Sequence, residues 1–229
     1  IARTLKGHDG PAGWVAWSHG GDRLVSAGQD RTLRVWDAAD GRETLRLAGH
    51  SGEVAGVSWS PDDRRLVSGG ADRTARVWDA AAGREITALR GHKSHVTAVA
   101  WRPDGKALAS ASADGAMCLW DPATGQEKAK LGAHRASLAA MTWSPDGKRA
   151  ASASFDRTVT VWDAAEGKEL AVFRGHEGPV RCVAWRPSGE LIASGSEDGT
   201  ARVWTAADGA EVLRLSGHAA AVNAVAWSP

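Results

Sequence analysis

Serine, histidine and aspartate recur at a fixed spacing in this chain of 229 residues, each in steps of 42 residues. A serine, a histidine and an aspartate within hydrogen-bonding reach could act as nucleophile, base and orienting group, the arrangement that hydrolases use. Histidines brought together could instead bind a metal ion. The recurring residues are His8, His50, His92, His134, His176 and His218; Ser26, Ser68, Ser110, Ser152 and Ser194; and Asp30, Asp72, Asp114, Asp156 and Asp198.

The repetition itself argues against both kinds of chemistry. An enzyme needs one nucleophile in one cleft, whereas the same set returns in every period. Metal ligands must converge on one point, whereas each period supplies a single histidine of this series. The chain also contains no phosphate-binding glycine loop, zinc-ligand spacing or nucleophile elbow. We therefore predict that it is not an enzyme and has no catalytic residue, metal site or cofactor.

The elements that must position these residues are short strands. In the period that begins at His50, residues 54–59 alternate between apolar and small or polar side chains, as a strand does. A turn with Pro61 and Asp62 follows, and further strand-like runs lie at 65–70, 75–78 and 86–89. No stretch keeps the apolar spacing of a helix for long. Four antiparallel strands per 42 residues are typical of one blade of an all-β propeller.

Two dipeptides recur with the same period. Gly-His lies at 7–8, 49–50, 91–92, 175–176 and 217–218, and Trp-Asp at 36–37, 78–79, 120–121 and 162–163. On these residues the whole chain resembles the WD-repeat (WD40) β-propeller family. Two copies depart from the pattern, because Ala133 replaces the glycine before His134 and Thr205 replaces the aspartate after Trp204.

The resemblance implies that the recurring polar residues are structural. In that family a histidine, a serine, an aspartate and a tryptophan of each blade form a hydrogen-bonded tetrad. Imidazole can donate and accept, a hydroxyl can relay, a carboxylate accepts and indole donates, so the set can satisfy itself. The implied tetrads are His8, Ser26, Asp30 and Trp36; His50, Ser68, Asp72 and Trp78; His92, Ser110, Asp114 and Trp120; His134, Ser152, Asp156 and Trp162; and His176, Ser194, Asp198 and Trp204.

The period divides the chain into five complete blades and part of a sixth. Residues 1–7 are expected to form an outer strand, and the complete blades to span about 8–49, 50–91, 92–133, 134–175 and 176–217. Residues 218–229 are expected to form the innermost strand of a further blade. We therefore expect an open arc, or a fragment of a seven-bladed ring, with a truncated sixth blade as the alternative. Unpaired strand edges at both ends would favour self-association.

Functional differences should lie at positions that vary between the repeats. Propellers of this kind often bind partners where the histidine loop meets the innermost strand and beside the turn aspartate. Phe155 is an aromatic residue where the other repeats carry polar or small residues, and Arg181 and Glu197 could pair with each other instead of with a partner. Trp14 replaces a small residue, so it faces a central channel or a blade interface. The candidate partner-binding residues are Phe155, Arg181, Glu197, Glu53, His95, Thr97, Gln29, Asn223 and Trp14.

Composition restricts the class of partner. A net charge of +1 provides no general attraction to nucleic acid or to a membrane, and no long apolar run is present. The mixture of acidic, basic, aromatic and small candidates suits a protein or peptide. Arg34, Arg76 and Arg202 share one strand position, for which a solvated blade face is the expectation.

We therefore predict a non-catalytic protein-interaction scaffold, with a small-ligand- or glycan-binding propeller as the alternative. Two isolated cysteines suit a reducing compartment, which predicts a cytoplasmic protein. The alanine- and arginine-rich, nearly identical repeats resemble bacterial arrays attached to signalling modules.

Overall fold

The computed structural model describes residues 4–132 and 134–228, and within these ranges the chain forms β-strands and no helix. Blades 1 to 5 are named here in chain order, with four strands each. Blades 1 and 2 consist of β1 (Ala12–Trp17), β2 (Arg23–Gly28), β3 (Thr32–Asp37), β4 (Glu43–Ala48), β5 (Val54–Trp59), β6 (Arg65–Gly70), β7 (Thr74–Asp79) and β8 (Arg84–Arg90). Blades 3, 4 and 5 consist of β9 (Val96–Trp101), β10 (Leu108–Ser112), β11 (Met117–Trp120), β12 (Glu127–Leu131), β13 (Leu138–Trp143), β14 (Arg149–Ser154), β15 (Thr158–Asp163), β16 (Glu169–Arg174), β17 (Val180–Trp185), β18 (Leu191–Ser196), β19 (Ala201–Thr205) and β20 (Glu211–Leu215).

Every blade has the same topology, because each strand pairs with the next one along the chain. The pairings in blades 1, 2, 4 and 5 are antiparallel throughout. The prediction of an all-β fold built from four-stranded propeller blades is confirmed. Each predicted blade range contains its four strands.

The turn before the third strand of each blade requires a left-handed residue. Gly115 and Gly199 occupy this position with φ of 81° and 77°, and glycine adopts such angles without steric cost. The other blades place arginine there, at Arg31, Arg73 and Arg157, with φ of 67°, 67° and 73°. Three turns therefore hold a residue with a side chain in a conformation that disfavours one.

The chain forms two compact units, one containing the described residues up to 110 with 120–128, the other containing 111–119 with the described residues from 129 onward. In the first unit, alternate residues of neighbouring strands, such as Leu33, Leu66 and Trp78, form the core between sheets. In the second unit, Phe173, Ile192 and Trp204 do the same. Burying the apolar faces of these short strands supplies the main driving force for folding in each unit.

A second tryptophan series also joins successive blades within each unit. The guanidinium of Arg23 lies 4.6 Å from the ring centroid of Trp59, and Arg149 lies 4.8 Å from that of Trp185. The indole of Trp59 also donates to the carbonyl of Ala16 over 3.2 Å. Such cation–π contacts are worth more when they are buried, and these rings are 2 % and 7 % exposed.

The expectation for the two ends of the chain was wrong in one respect. Residues 4–7 and 216–228 form no strand, so the predictions of strands at 1–7 and 218–229 are wrong for these residues, while 1–3 and 229 lie outside the described residues. A strand needs a hydrogen-bonded partner strand along its length, and residues 216–228 pair with no strand among the described residues, although they contact blade 5. The Val222 amide donates to the Ser196 carbonyl over 2.9 Å, and the Trp227 indole donates to the Ala184 carbonyl over 3.1 Å. Ala133, a predicted departure from the family pattern, lies outside the described residues.

Candidate functional site

The recurring polar side chains meet where the loop before each blade crosses the turn before its third strand. In blade 2, Nδ1 of His50 lies 3.0 Å from Asp72 Oδ2, and Nε2 lies 2.7 Å from Ser68 Oγ. The Trp78 indole donates to the same Ser68 oxygen over 2.8 Å. Because the aspartate can only accept, Nδ1 carries the imidazole proton and the serine hydroxyl donates to Nε2. Every polar group of the set therefore has a partner.

Blades 1, 4 and 5 repeat this arrangement, and blade 3 repeats the two contacts to its serine. The imidazole–serine distances are 2.7 Å in blades 1 and 3 and 2.8 Å in blades 4 and 5. The indole–serine distances are 2.7 Å or 2.8 Å. The imidazole–aspartate pairs His8–Asp30, His134–Asp156 and His176–Asp198 lie 2.9–3.0 Å apart.

A threonine that the sequence reasoning did not include completes four of these sets. The Thr74 hydroxyl donates to Asp72 over 2.7 Å, and the amide after the histidine, that of Ser51, donates to the other carboxylate oxygen over 3.0 Å. Thr32, Thr158 and Thr200 make the equivalent contact, whereas blade 3 has Ala116 at this position. The spacing of 42 residues was the signal that could have revealed them.

The electrostatics of the tetrads favour neutral imidazole and ionised carboxylate. Burial lowers the pKa of His50 and of His176, despite the neighbouring aspartates. Burial alone would raise the pKa of Asp72, but hydrogen bonds from Thr74, the Ser51 amide and His50 outweigh it and lower that pKa to about 2. The tetrad serines are 0–6 % exposed, so their hydroxyls cannot reach a substrate in solution. In blades 1, 2, 4 and 5 the sets tie a loop to a turn.

The expectation of a solvated face at Arg34, Arg76 and Arg202 was wrong. Their side chains are only 7 %, 12 % and 7 % exposed. Each guanidinium lies against a glutamate of the outer strand, with Arg34 Nη1 2.7 Å from Glu43 and Arg76 Nη1 2.5 Å from Glu85, and with Arg202 paired to Glu211. Arg34 and Arg76 also lie 3.5 Å from the tetrad aspartates Asp30 and Asp72. The recurring glutamate balances a buried charge that would otherwise be costly.

Three of the candidate partner-binding residues are brought together in the second unit. The guanidinium of Arg181 lies 4.9 Å from the ring centroid of Phe155 and pairs with the Glu197 carboxylate. Phe155 is 38 % exposed, and the Arg181 and Glu197 side chains are 41 % and 34 % exposed. The ion pair that sequence reasoning treated as the alternative to partner contact is therefore present. It leaves all three side chains, here called the Phe155 cluster, accessible at the surface.

A β-bulge gives Arg181 its exposed position. In blade 5, Val180 pairs with Ser196 and Cys182 pairs with Gly195, so Arg181 is an extra residue on β17. The same register shift occurs in blades 1, 2 and 4, where the extra residues are Gly13, Ala55 and Ala139. A bulge re-aims a side chain away from the regular alternation, and among these four only Arg181 carries a long one.

The remaining candidates do not join this cluster. Gln29 and Glu53 are exposed in the first unit, and the backbone N–H of Gln29 donates to the Pro11 carbonyl. His95 and Asn223 are exposed, and Thr97 is half-buried. Trp14 pairs with Ala27 in β1 and β2, and its side chain is 47 % exposed instead of packed in a core.

The described residues contain neither a cluster of metal-ligating side chains nor a helix with the length and hydrophobicity needed to span a bilayer. Neither cysteine is in a disulfide. Burial raises the pKa of the Cys182 thiol to about 11, so it is protonated at neutral pH.

Comparison with known protein families identifies the repeats. The family model described as "WD domain, G-beta repeat" matches the chain five times, over residues 1–37, 41–79, 83–121, 125–163 and 167–205. Each match ends at the last residue of a Trp-Asp or Trp-Thr dipeptide on the third strand of a blade or directly after it. No curated protein matches the chain.

Proposed function

Because the chain belongs to the WD40 family, whose repeats generally mediate protein–protein interaction, we propose that it is a non-catalytic scaffold that binds a peptide or protein partner. The binding surface in this proposal is the Phe155 cluster. The observation that carries it is the position of an exposed aromatic ring, a cation and a carboxylate together at sites that vary between otherwise nearly identical blades.

The chemistry of the cluster suits a peptide. An exposed ring provides an apolar anchor of the kind that dominates protein interfaces, and arginine is enriched there too. The ion pair holds the guanidinium over the ring, so less side-chain entropy is lost when a partner binds. Opposite charges side by side offer both a donor and an acceptor to a peptide backbone. They give no surface of one sign for nucleic acid or an anionic membrane.

The test is a pulldown of a peptide library with the immobilised chain. We expect Phe155→Ala and Arg181→Ala each to weaken the selected peptides about tenfold or more, as loss of an interface anchor does. Leu170→Ala is the control, because Leu170 is an exposed apolar residue on the outer strand β16 and is not among the candidates. Peptides that bind all three variants equally would contradict the proposal.

A glycan- or small-ligand-binding propeller is the second candidate. The exposed rings of Trp14 and Phe155 favour it, because a sugar face stacks on an exposed aromatic ring. Glycan-array hits that are lost on Trp14→Ala or Phe155→Ala but survive Arg181→Ala, with no selected peptide, would support this alternative over the scaffold.

We also propose that the chain self-associates through its first and fifth blades. Trp17 in β1 is 57 % exposed, although the equivalent Trp59 is buried, and Leu215 in β20 is 52 % exposed, although the equivalent Leu47 is buried. Exposed apolar strands of this kind favour association. The pulldown should therefore use the smallest species isolated by size exclusion. A cytoplasmic location and a bacterial signalling role remain part of the proposal, supported by the two free thiols and by composition.

A further inference from the structure

One position on the third strand holds a threonine in blade 4 but an arginine in blades 1, 2 and 5. Steps of 42 residues relate Arg34, Arg76, Cys118, Thr160 and Arg202. In blades 1, 2 and 5 the arginine places its guanidinium against the outer-strand glutamate, and in blades 1 and 2 it also lies 3.5 Å from the tetrad aspartate. In blade 4 the two carboxylates are present as Asp156 and Glu169, but Thr160 takes the place of the arginine.

The missing side chain leaves space. An open pocket of about 210 Å³ is lined by Thr160, Asp156 and Glu169, with Thr158 and Val172 beside them. Thr160 is 2 % exposed, so the pocket reaches the buried layer of the blade. Glu169 makes no ion pair within the part of the chain that the structure describes, whereas Glu43, Glu85 and Glu211 each hold an arginine.

We propose that the Thr160 pocket binds the guanidinium of an arginine side chain from a partner peptide. In three blades the glutamate at this position holds a guanidinium, in two of them the guanidinium also lies 3.5 Å from the tetrad aspartate, and blade 4 keeps both carboxylates without the arginine. A planar guanidinium can donate to two carboxylates at once, which the ammonium of lysine does less well. This inference rests on the proposed peptide-binding function and names the chemistry of a second contact.

The groups around the pocket restrict the peptide further. Both nitrogens of His134 are engaged, Nδ1 by Asp156 and Nε2 by Ser152, so the imidazole is not free to compete. Hydrogen bonds from Thr158, the Arg135 amide and His134 lower the pKa of Asp156 against the effect of burial, which keeps the carboxylate ionised. The exposed residues Arg135 and Arg174 also border the pocket. They repel a run of basic residues, so we expect a single arginine with acidic neighbours.

The experiment is calorimetric titration of the full chain with the capped peptide Glu-Glu-Arg-Glu-Glu and with its lysine counterpart. We expect the arginine peptide to bind at least about tenfold more tightly than the lysine peptide. Thr160→Arg supplies the internal guanidinium of the other blades and should abolish binding, while Thr160→Val keeps the space and should bind as the parent does. Glu169→Gln, at an exposed position, should weaken binding about tenfold.

A parent chain that does not bind the arginine peptide overturns the inference, as does Thr160→Arg with unchanged affinity and an intact thermal transition. Phe155→Ala separates the two proposals. It should leave the arginine peptide unaffected while losing the library-selected peptides, so each proposal can fail without the other.

Discussion

At the residue scale, the tetrad serine holds two neighbours at once. The Ser68 hydroxyl oxygen accepts a hydrogen bond from the Trp78 indole, and the same hydroxyl donates a hydrogen bond to His50 Nε2. The imidazole then donates to Asp72, whose other lone pairs are filled by Thr74 and the Ser51 amide. A hydroxyl in a hydrolase would have to be open to substrate, whereas this one is 0 % exposed. The same residue types therefore serve to fasten a loop.

Replacing Ser68 tests this role. Ser68→Ala leaves a buried indole N–H and a buried imidazole nitrogen without partners, so we expect the free energy of unfolding to fall by about 1–3 kcal/mol. The measurement is urea denaturation followed by tryptophan fluorescence. Ser51→Ala is the control, because Ser51 is exposed and only its backbone amide enters the network, and it should stay close to the parent. An equal loss in both variants would contradict a role for the hydroxyl.

At the element scale, the turn before the third strand carries an avoidable strain. Arg157 is exposed and has a φ of 73°, while the equivalent Gly199 adopts 77° freely. The backbone N–H of Arg157 donates to the Ser154 carbonyl over 3.2 Å, a hydrogen bond that glycine would make equally well. The arginine side chain therefore gives the turn nothing that its backbone requires.

Arg157→Gly should therefore stabilise the chain. We expect a gain of about 0.5–1 kcal/mol, since glycine removes a left-handed penalty of about 1–2 kcal/mol but adds freedom to the unfolded chain. Differential scanning calorimetry is the measurement. Arg157→Ala keeps a β-carbon at the same angle and should not gain; stabilisation of equal size in both variants would show that loss of charge, and not relief of strain, is responsible.

At the scale of the whole molecule, the tetrads make stability depend on pH in one direction. His50 and His176 have pKa values below 6.5 in the folded chain, and Asp72 has a pKa of about 2 instead of 3.8. The unfolded chain therefore binds more protons than the folded chain as pH falls. Stability should be full above pH 6.5, decline first as the unfolded histidines protonate, and decline again as pH falls from 3.8 toward 2.

The variant that checks this is Asp72→Asn, studied by urea denaturation from neutral pH to about pH 3. It should be less stable than the parent at neutral pH and lose less on acidification, by about 1 kcal/mol after allowance for solvent screening. The exposed Asp40→Asn is the control and should keep the parent's acid dependence. A parent whose stability rises on acidification would contradict the assignment.

Much of this architecture could be predicted because its period is long and regular. The alternation at β5 and the recurrence of Trp78 and its equivalents predict strands and blades directly. The burial of Arg34 could not be read from its own type, because a strand stripe of arginines is usually solvated, and only the equally spaced Glu43 indicates otherwise. The bulge at Arg181 has no residue signature, since Gly13, Ala55 and Ala139 hold the same place. The strand predicted near Val222 depended on a neighbour that the described chain does not supply.

The family matches and the blades are out of phase by one strand. The match at 125–163 begins just before β12, the outer strand of blade 3, and ends with β15 of blade 4. Each of the four matches after the first therefore contains the outer strand of one sheet and three strands of the next. Excising residues 125–166, for example, removes β12 of blade 3 and β13, β14 and β15 of blade 4, which leaves β16 to take the place of β12. Recombination between copies can thus lengthen or shorten the array without respecting the borders of its folded modules.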